Sequence, residues 1–411
     1  MWRCLSGAAA IVGLAACAAP VRPTGLAAVP TTRPPAVTAT VTASTTTVRP
    51  STTEAVPTTT EPPTPPEGGV IAARLVSARL GLVATASAGS LTARLWVTTD
   101  MTHWSDVTPP GLVGVLDDVS AVDRQHLWVT VSACALGSTN ETLWRTVDGG
   151  LTWLSSGVEG HMCAAGSTSL LSFRDPLHGA IASLEPTGPV GHVLTTADGG
   201  RTWQGWPFPV LGPVVFPTPA DGFVAATSAP EGSPAPLEAT HDGGRSWAAV
   251  GVAVPADYVS WHVLYGLPTF YDPSHGILPV TLIKANTALV VWYATADSGH
   301  TWSMRADPHP VGVAEGAPQI DHVALTAVAG RDTWWTLGWN TGGWDTQVTT
   351  DGGRHWTTVR SAPPWTTPQR LDAVGPAEAW VITQYATVYR TDNAGATFTL
   401  LQPPSVAGVG R

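Results

Sequence analysis

A chain of 411 residues leaves room for one large domain or two ordinary ones, and its charge already removes one class of function. With a net charge of −10, only 12% charged residues and no Lys/Arg cluster able to follow a phosphate backbone, this is not the sequence of a nucleic-acid binder. Lysine occurs once, at Lys284, so arginine carries nearly all the basic charge.

The chain begins with Arg3 and a short apolar run, Leu5 to Leu14. That run is well below the roughly 20 residues a membrane-spanning helix needs. It ends in Leu14-Ala15-Ala16-Cys17, which resembles a bacterial lipobox. The resemblance implies that residues 1–16 are a signal peptide and that the Cys17 thiol takes a diacylglycerol. Two acyl chains give stable anchoring, here on the outer surface of the cell membrane. The other reading is an ordinary secretory signal with Cys17 incidental; on either reading export is expected. Cys4 leaves with the signal, so Cys134 and Cys163 remain in a compartment that permits disulfides. A bridge between them is expected, closing a loop of about 30 residues worth on the order of 3–4 kcal/mol.

Residues 17–68 are almost entirely Thr, Pro, Ala, Val and Ser, as in Thr45-Thr46-Thr47-Val48-Arg49-Pro50. Nothing there offsets the entropy of ordering, so a disordered stalk is expected, reaching between about 40 Å as a coil and about 160 Å as extended polyproline II.

Residues 69–411 are governed by a repeat. Thr146-Val147-Asp148-Gly149-Gly150-Leu151-Thr152-Trp153 recurs as Thr196 to Trp203, Thr240 to Trp247, Thr295 to Trp302 and Thr349 to Trp356. Two degenerate copies flank these. Thr98 to Trp104 is one residue short and lacks the glycine, and Thr391 to Phe398 keeps register with Asn393 at the acidic position. The acidic positions are therefore Asp100, Asp148, Asp198, Asp242, Asp297, Asp351 and Asn393. The aromatic ones are Trp104, Trp153, Trp203, Trp247, Trp302 and Trp356, then Phe398. A period of about 49 residues is the size of one four-stranded propeller blade.

This pattern resembles the Asp-box, or bacterial neuraminidase repeat, of sialidases, sortilin-type receptors and photosystem II assembly-factor propellers. The resemblance implies an all-β fold, a seven-bladed β-propeller of antiparallel four-stranded blades. It says little about activity, because enzymes and pure binding proteins share the box.

The residues of the box have local reasons. Asp148 can accept backbone N–H groups of its own turn, Gly149 and Gly150 permit positive φ, and the Trp153 indole can cover the hairpin against its neighbour. In the second repeat, strands are expected over Leu116–Val122, Leu127–Ser132, Thr142–Thr146 and Thr152–Ser155. Asp123-Arg124-Gln125-His126, Asp175-Pro176-Leu177-His178 and Asp272-Pro273-Ser274-His275 mark turns between first and second strands. Their histidines sit one per blade and cannot converge, so no metal site is expected from them. Ring closure has two solutions: the tail after Phe398 finishes the seventh blade, or residues near Val70 supply a closing strand.

With alternating strands, the boxes and the first turns share one face, and the longer, irregular loops share the other. Binding residues concentrate on variable loops held by rigid scaffolds, so the face opposite the boxes is the candidate site. Its non-repeat aromatics are Trp206, Tyr258, Trp261, Trp339, Trp344 and Trp365. These rings can stack on a sugar or anchor a protein. The expected function is a non-catalytic binding or scaffold propeller displayed from the cell envelope, with an envelope protein or glycan as ligand. The alternative is a sialidase-type glycoside hydrolase, which needs three arginines, a Tyr–Glu pair and an acidic acid/base. The Arg-Ile-Pro motif of that family is absent, and Arg74 and Arg79 lack its context. No phosphate-binding glycine loop, CxxC pair or HExxH occurs, so no cofactor, metal or nucleotide is expected.

Overall fold

Alternating apolar runs punctuated by Gly-rich turns fold here into seven antiparallel sheets in sequence order. The computed structural model describes residues 69–86, 92–132, 140–162, 168–184, 191–208, 212–225, 237–285, 287–311, 325–340, 343–363, 368–383 and 387–403. These lie in one compact unit, Thr60–Arg411. Cys17, the stalk, Cys134, Cys163 and Trp365 fall outside the described residues.

Each sheet is one blade. The first is Gly69–Ser77, Leu80–Ala86, Ala93–Thr98 and Trp104–Asp106. The second is Val115–Ala121, Leu127–Ser132, Asn140–Thr146 and Leu154–Met162. Its first three strands match the sequence expectation within two residues, but the fourth starts later and runs longer. The box turn itself occupies Thr152 and Trp153, which delays the strand. The fourth blade is abbreviated, with Val214–Val215 and Ala248–Ala249 as its outer pair. In the fifth, the innermost strand is split into His262–Tyr265 and Thr269–Phe270, both paired to Gly276–Lys284. Pro268 lies in the gap, where a residue without an N–H cannot continue a ladder.

Middle strands carry the core. Leu82, Val83, Val129, Ile181, Phe223, Val280, Trp335 and Val381 are fully buried, because each blade presents both faces to neighbours. The seams between blades are filled by large rings. Trp128 stacks on Phe173 of the next blade at 3.9 Å and 6°, and its indole N–H donates to the Gly199 carbonyl at 3.2 Å. Phe223 stacks on Phe270 at 5.5 Å and Trp292 on Trp334 at 4.9 Å, while Trp335 donates to the Gly375 carbonyl at 2.8 Å. Each pair spans one blade boundary, burying aromatic area that a single four-stranded sheet leaves bare.

Closure follows the first of the two solutions. Thr399–Leu401 completes the seventh blade, and Gly69–Ser77 stays within the first. Among the described residues, no strand is exchanged between the ends of the ring. Side-chain packing joins them: Ala73, Leu75, Val83 and Met101 of blade one cluster with Trp380, Val388 and Leu401 of blade seven. Trp104 lies 6.4 Å from Trp380, and a Cβ at Gly81 would collide with the Trp380 indole.

Candidate functional site

The boxes are built as their residues require. In the second box, Asp148 Oδ1 accepts the Thr146 hydroxyl at 2.7 Å and the Thr152 N–H at 2.9 Å, and Oδ2 accepts the Thr152 hydroxyl at 2.5 Å. Hydrogen bonds from the Thr152 hydroxyl and N–H, then from Thr146, hold its carboxyl at about 2. Gly149 and Gly150 have φ of 73° and 92°, the left-handed region that only glycine enters freely. The same network recurs at Asp198, Asp242, Asp297 and Asn393. At Asp100 and Asp351 a histidine replaces the closing hydroxyl, with His103 Nδ1 at 2.7 Å and His355 Nδ1 at 2.6 Å from the carboxylate. The glycine-poor first box turns at Met101, φ 64°, whose N–H donates to the Thr98 hydroxyl at 2.8 Å. The box rings act between blades. Trp302 meets Phe223 at 6.0 Å, Trp356 meets Trp292 at 6.1 Å and Trp104 meets Trp380, each in the preceding blade of the ring.

Boxes and first turns share one face, and they are hydrogen-bonded to each other. Gly149 N–H donates to Gln125 O at 3.0 Å, Gly199 to Leu177 at 2.8 Å, Gly243 to Ala220 at 2.8 Å, and Gly352 to Asp332 at 2.9 Å. The turn histidines are used locally. His126, His178 and His275 each place Nδ1 about 3 Å from the aspartate of their own turn, at 2.9, 3.0 and 2.9 Å from Oδ2.

One seam on this face departs from the others, and sequence reasoning missed it. The second box position of one blade faces the sixth of the next: Val147 and Arg201 line one groove, Ala197 and Arg245 the following one. Between blades four and five those positions are His241 and His300, whose rings stack at 3.8 Å and 14°. Beneath them lies Asp221, with Oδ1 at 2.7 Å from His241 Nδ1 and 3.4 Å from His300 Nε2. Asp221 takes the turn position held by histidine in blades two, three and five, and Thr218 replaces the turn aspartate. The Thr218 hydroxyl donates to Asp221 Oδ2 at 2.6 Å and accepts the Asp221 N–H at 2.8 Å, fixing the carboxylate. The available signal was positional: aligning boxes and turns shows three departures in adjacent repeats.

The proposed loop-face aromatics do not form one cluster. Trp339 and Trp344 are directly opposed across the hairpin joining Trp334–Asn340 to Gly343–Thr349, half-buried, with ring centroids 5.5 Å apart at 71°. Beside them Asn340 donates to Asp345 at 3.0 Å, and Arg360 grips Asp345 through two bonds of 2.7 and 2.8 Å. Tyr258, the last residue of a short turn of helix, Ala256–Tyr258, ahead of blade five, forms a second edge-to-face pair with Trp261 at 5.1 Å. Trp206 stands apart from both, its ring under the Arg245 guanidinium of the fourth box at 4.9 Å.

The innermost strands of blades one, two and seven carry a charged network. Arg74 donates to Asp118 at 2.8 Å, and Asp118 also accepts the Leu171 N–H of blade three at 3.0 Å. Burial pushes the Asp118 carboxyl up, against the opposing pull of Arg74 and the Leu171 and Val119 amides. Asp372 accepts the Leu75 N–H across the closing seam at 3.2 Å and a two-bond grip from Arg370 at 2.8 and 2.7 Å. Arg74 is thus engaged in joining blades, while Arg79 lies exposed in the turn between the first two strands of blade one, so the two arginines do not share a site.

No family model and no curated protein matches the chain. Solved structures do, as folds. The uncharacterized protein lmo1340 from Listeria monocytogenes EGD-e superposes with a TM-score of 0.51 at 9% identity, covering 84% of this chain and 97% of that one. YCF48 from Cyanidioschyzon merolae gives a TM-score of 0.49 at 12% identity, covering 82% and 98%. A GH74 xyloglucanase from Xanthomonas campestris gives 0.48 at 17% identity, covering 80% of this chain and 52% of that one. At such identities the likeness is one of fold: this chain is a seven-bladed β-propeller.

Proposed function

We propose that the chain is a non-catalytic binding or scaffold propeller, displayed from the cell envelope through a diacylglycerol on Cys17 and a stalk over residues 17–68. The proposed ligand is an envelope protein or glycan. The observation that supports a binding face is the Trp339–Trp344 pair at a hairpin end, half-buried beside the exposed Asn340 and the Asp345–Arg360 ion pair. Rigid aromatic area next to fixed donors and acceptors is what recognition of a sugar face or a protein anchor uses. Tyr258 and Trp261 extend the same loop face; Trp365 is kept as a proposed member from its sequence position.

The test is capture of partners from native envelope by the full-length protein, against Trp339→Ala/Trp344→Ala. Both side chains are partly solvated, so the double variant should keep its fold by circular dichroism. A partner retained by wild type and lost by the variant supports this face. Equal capture by both, or turnover of a fluorogenic sialoside by wild type, overturns the reading.

A further inference from the structure

We infer that Asp221, His241 and His300 form a binding site for a divalent transition-metal ion of the zinc type, at the seam between blades four and five on the box face. Two imidazoles and one carboxylate are the donor set that borderline ions of this class prefer. One donor atom from each residue lies within 4.8 Å of the other two, with His241 Nδ1 and His300 Nε2 facing Asp221 Oδ1. Ligands about 2.0–2.2 Å from a tetrahedral ion are about 3.3–3.6 Å apart. The 3.4 Å between His300 and Asp221 meets that spacing, whereas the 2.7 Å between His241 and Asp221 must open by roughly 0.6 Å and the stacked rings must turn out of parallel so that both lone pairs meet the ion.

Three further features distinguish this cluster from a chance surface contact. The carboxylate is held before any ion arrives: its side chain is 12% exposed and Thr218 bonds its second oxygen, the outer-shell orientation that metal ligands use. The histidines come from consecutive blades, and only at this seam do both facing box positions carry one among the boxes Thr146 to Trp153 through Thr349 to Trp356. Finally, the rings are 38% and 54% exposed, so an ion can enter from solvent and keep water at its remaining position, as three-ligand sites do. On binding, the ion replaces the His241 Nδ1 hydrogen bond to Asp221, and that ring's proton moves to Nε2.

The same atoms without an ion make a hydrogen-bonded staple between blades, and titration separates the two. Full-length protein lacking any histidine tag is titrated calorimetrically with zinc chloride near neutral pH, alongside His300→Gln, Asp221→Asn and His126→Ala. His300 is the most exposed of the three ligands, so its variant folds even if Asp221→Asn does not. The expected result is one zinc per chain with Kd about 1 μM or tighter. Affinity should fall about ten-fold or more in His300→Gln and be unchanged in His126→Ala, whose turn pairs a single histidine with its own aspartate. Zinc should raise Tm in wild type but not in His300→Gln. Cobalt should give the visible absorption of a four-coordinate site. No saturable binding, or equal binding by wild type and His300→Gln, overturns the assignment and leaves the loop-face reading untouched.

Discussion

Replacing Asp198 with alanine removes the acceptor on which the third box closes. Its carboxylate takes the Thr196 hydroxyl, the Arg201 N–H and the Thr202 N–H, each at 2.9 Å, and the Thr202 hydroxyl at 2.7 Å. A net contribution of about 0.5–1.5 kcal/mol per bond sums to roughly 4 kcal/mol. Arg201 and Thr202 are exposed, however, so their freed donors rehydrate, and a capping-type cost of about 2 kcal/mol is expected. The seventh box supplies a natural control. Asn393 Oδ1 accepts the Thr391 hydroxyl at 3.0 Å and the Thr397 N–H at 2.9 Å, and its amide donates to the Thr397 hydroxyl at 2.8 Å. Asp198→Asn can reproduce that pattern and should cost only about 0.5 kcal/mol.

The pH dependence has a definite sign. Partial burial pushes the Asp198 carboxyl up, but the Thr202, Thr196 and Arg201 donors outweigh it and hold the group at about 2. Its folded value lies below the unfolded one of about 3.9, so its contribution is fully present above about pH 4 and is lost as pH falls through about 2. At pH 3 roughly half of the pH-dependent part should remain. Urea unfolding followed by tryptophan fluorescence at pH 7 and pH 3 measures all three proteins. Alanine and wild type agreeing within about 0.5 kcal/mol at pH 7 would falsify the staple account. So would asparagine costing as much as alanine.

Gly81→Val drives a side chain into the Trp380 indole at the closing seam, and overpacking of this kind should cost about 2–3 kcal/mol. Urea unfolding with limited proteolysis checks it: unchanged stability would show that the seam yields without resistance. Asp118→Ala strips Arg74 of its partner and leaves the Leu171 and Val119 amides without their acceptor. A loss of about 3 kcal/mol is expected from breaking this buried pair, and a loss below about 1 kcal/mol would mean the pair contributes little to joining blades.

Much of the fold is local in origin and was therefore legible. The Thr–Asp–Gly–Gly turn is satisfied by its own atoms, as Asp148 and Gly149 show, so its recurrence marks the third-to-fourth hairpin of every blade without knowledge of anything distant. Strand alternation fixed which faces share the boxes, and the Gly149–Gln125 bond realises it. The expectation that the box ring works against a neighbour also has its counterpart in Trp302 on Phe223. The candidate site was less legible. The six aromatics were expected on loops, but Trp206, Trp339 and Trp344 lie in strands, and their grouping depends on strand length and loop path, which placed Trp339 against Trp344 and seated Trp206 against Arg245 of the fourth box instead.

What the sequence determined by itself is everything whose partner lies within a few residues: the blade period, the hairpin turns, the Asp–His turns that absorb their own histidines, and the all-β class. What only the tertiary structure decided is everything made across a blade boundary. Trp380 closing on Gly81, Asp118 reaching Leu171, and His241 stacking on His300 over Asp221 join residues 299, 53 and 59 positions apart (380 − 81, 171 − 118, 300 − 241). Such contacts depend on how many blades fill the circle and on the angle between adjacent sheets. Both are set by the collective packing of large rings in the seams, a property of the assembled ring that no single repeat encodes.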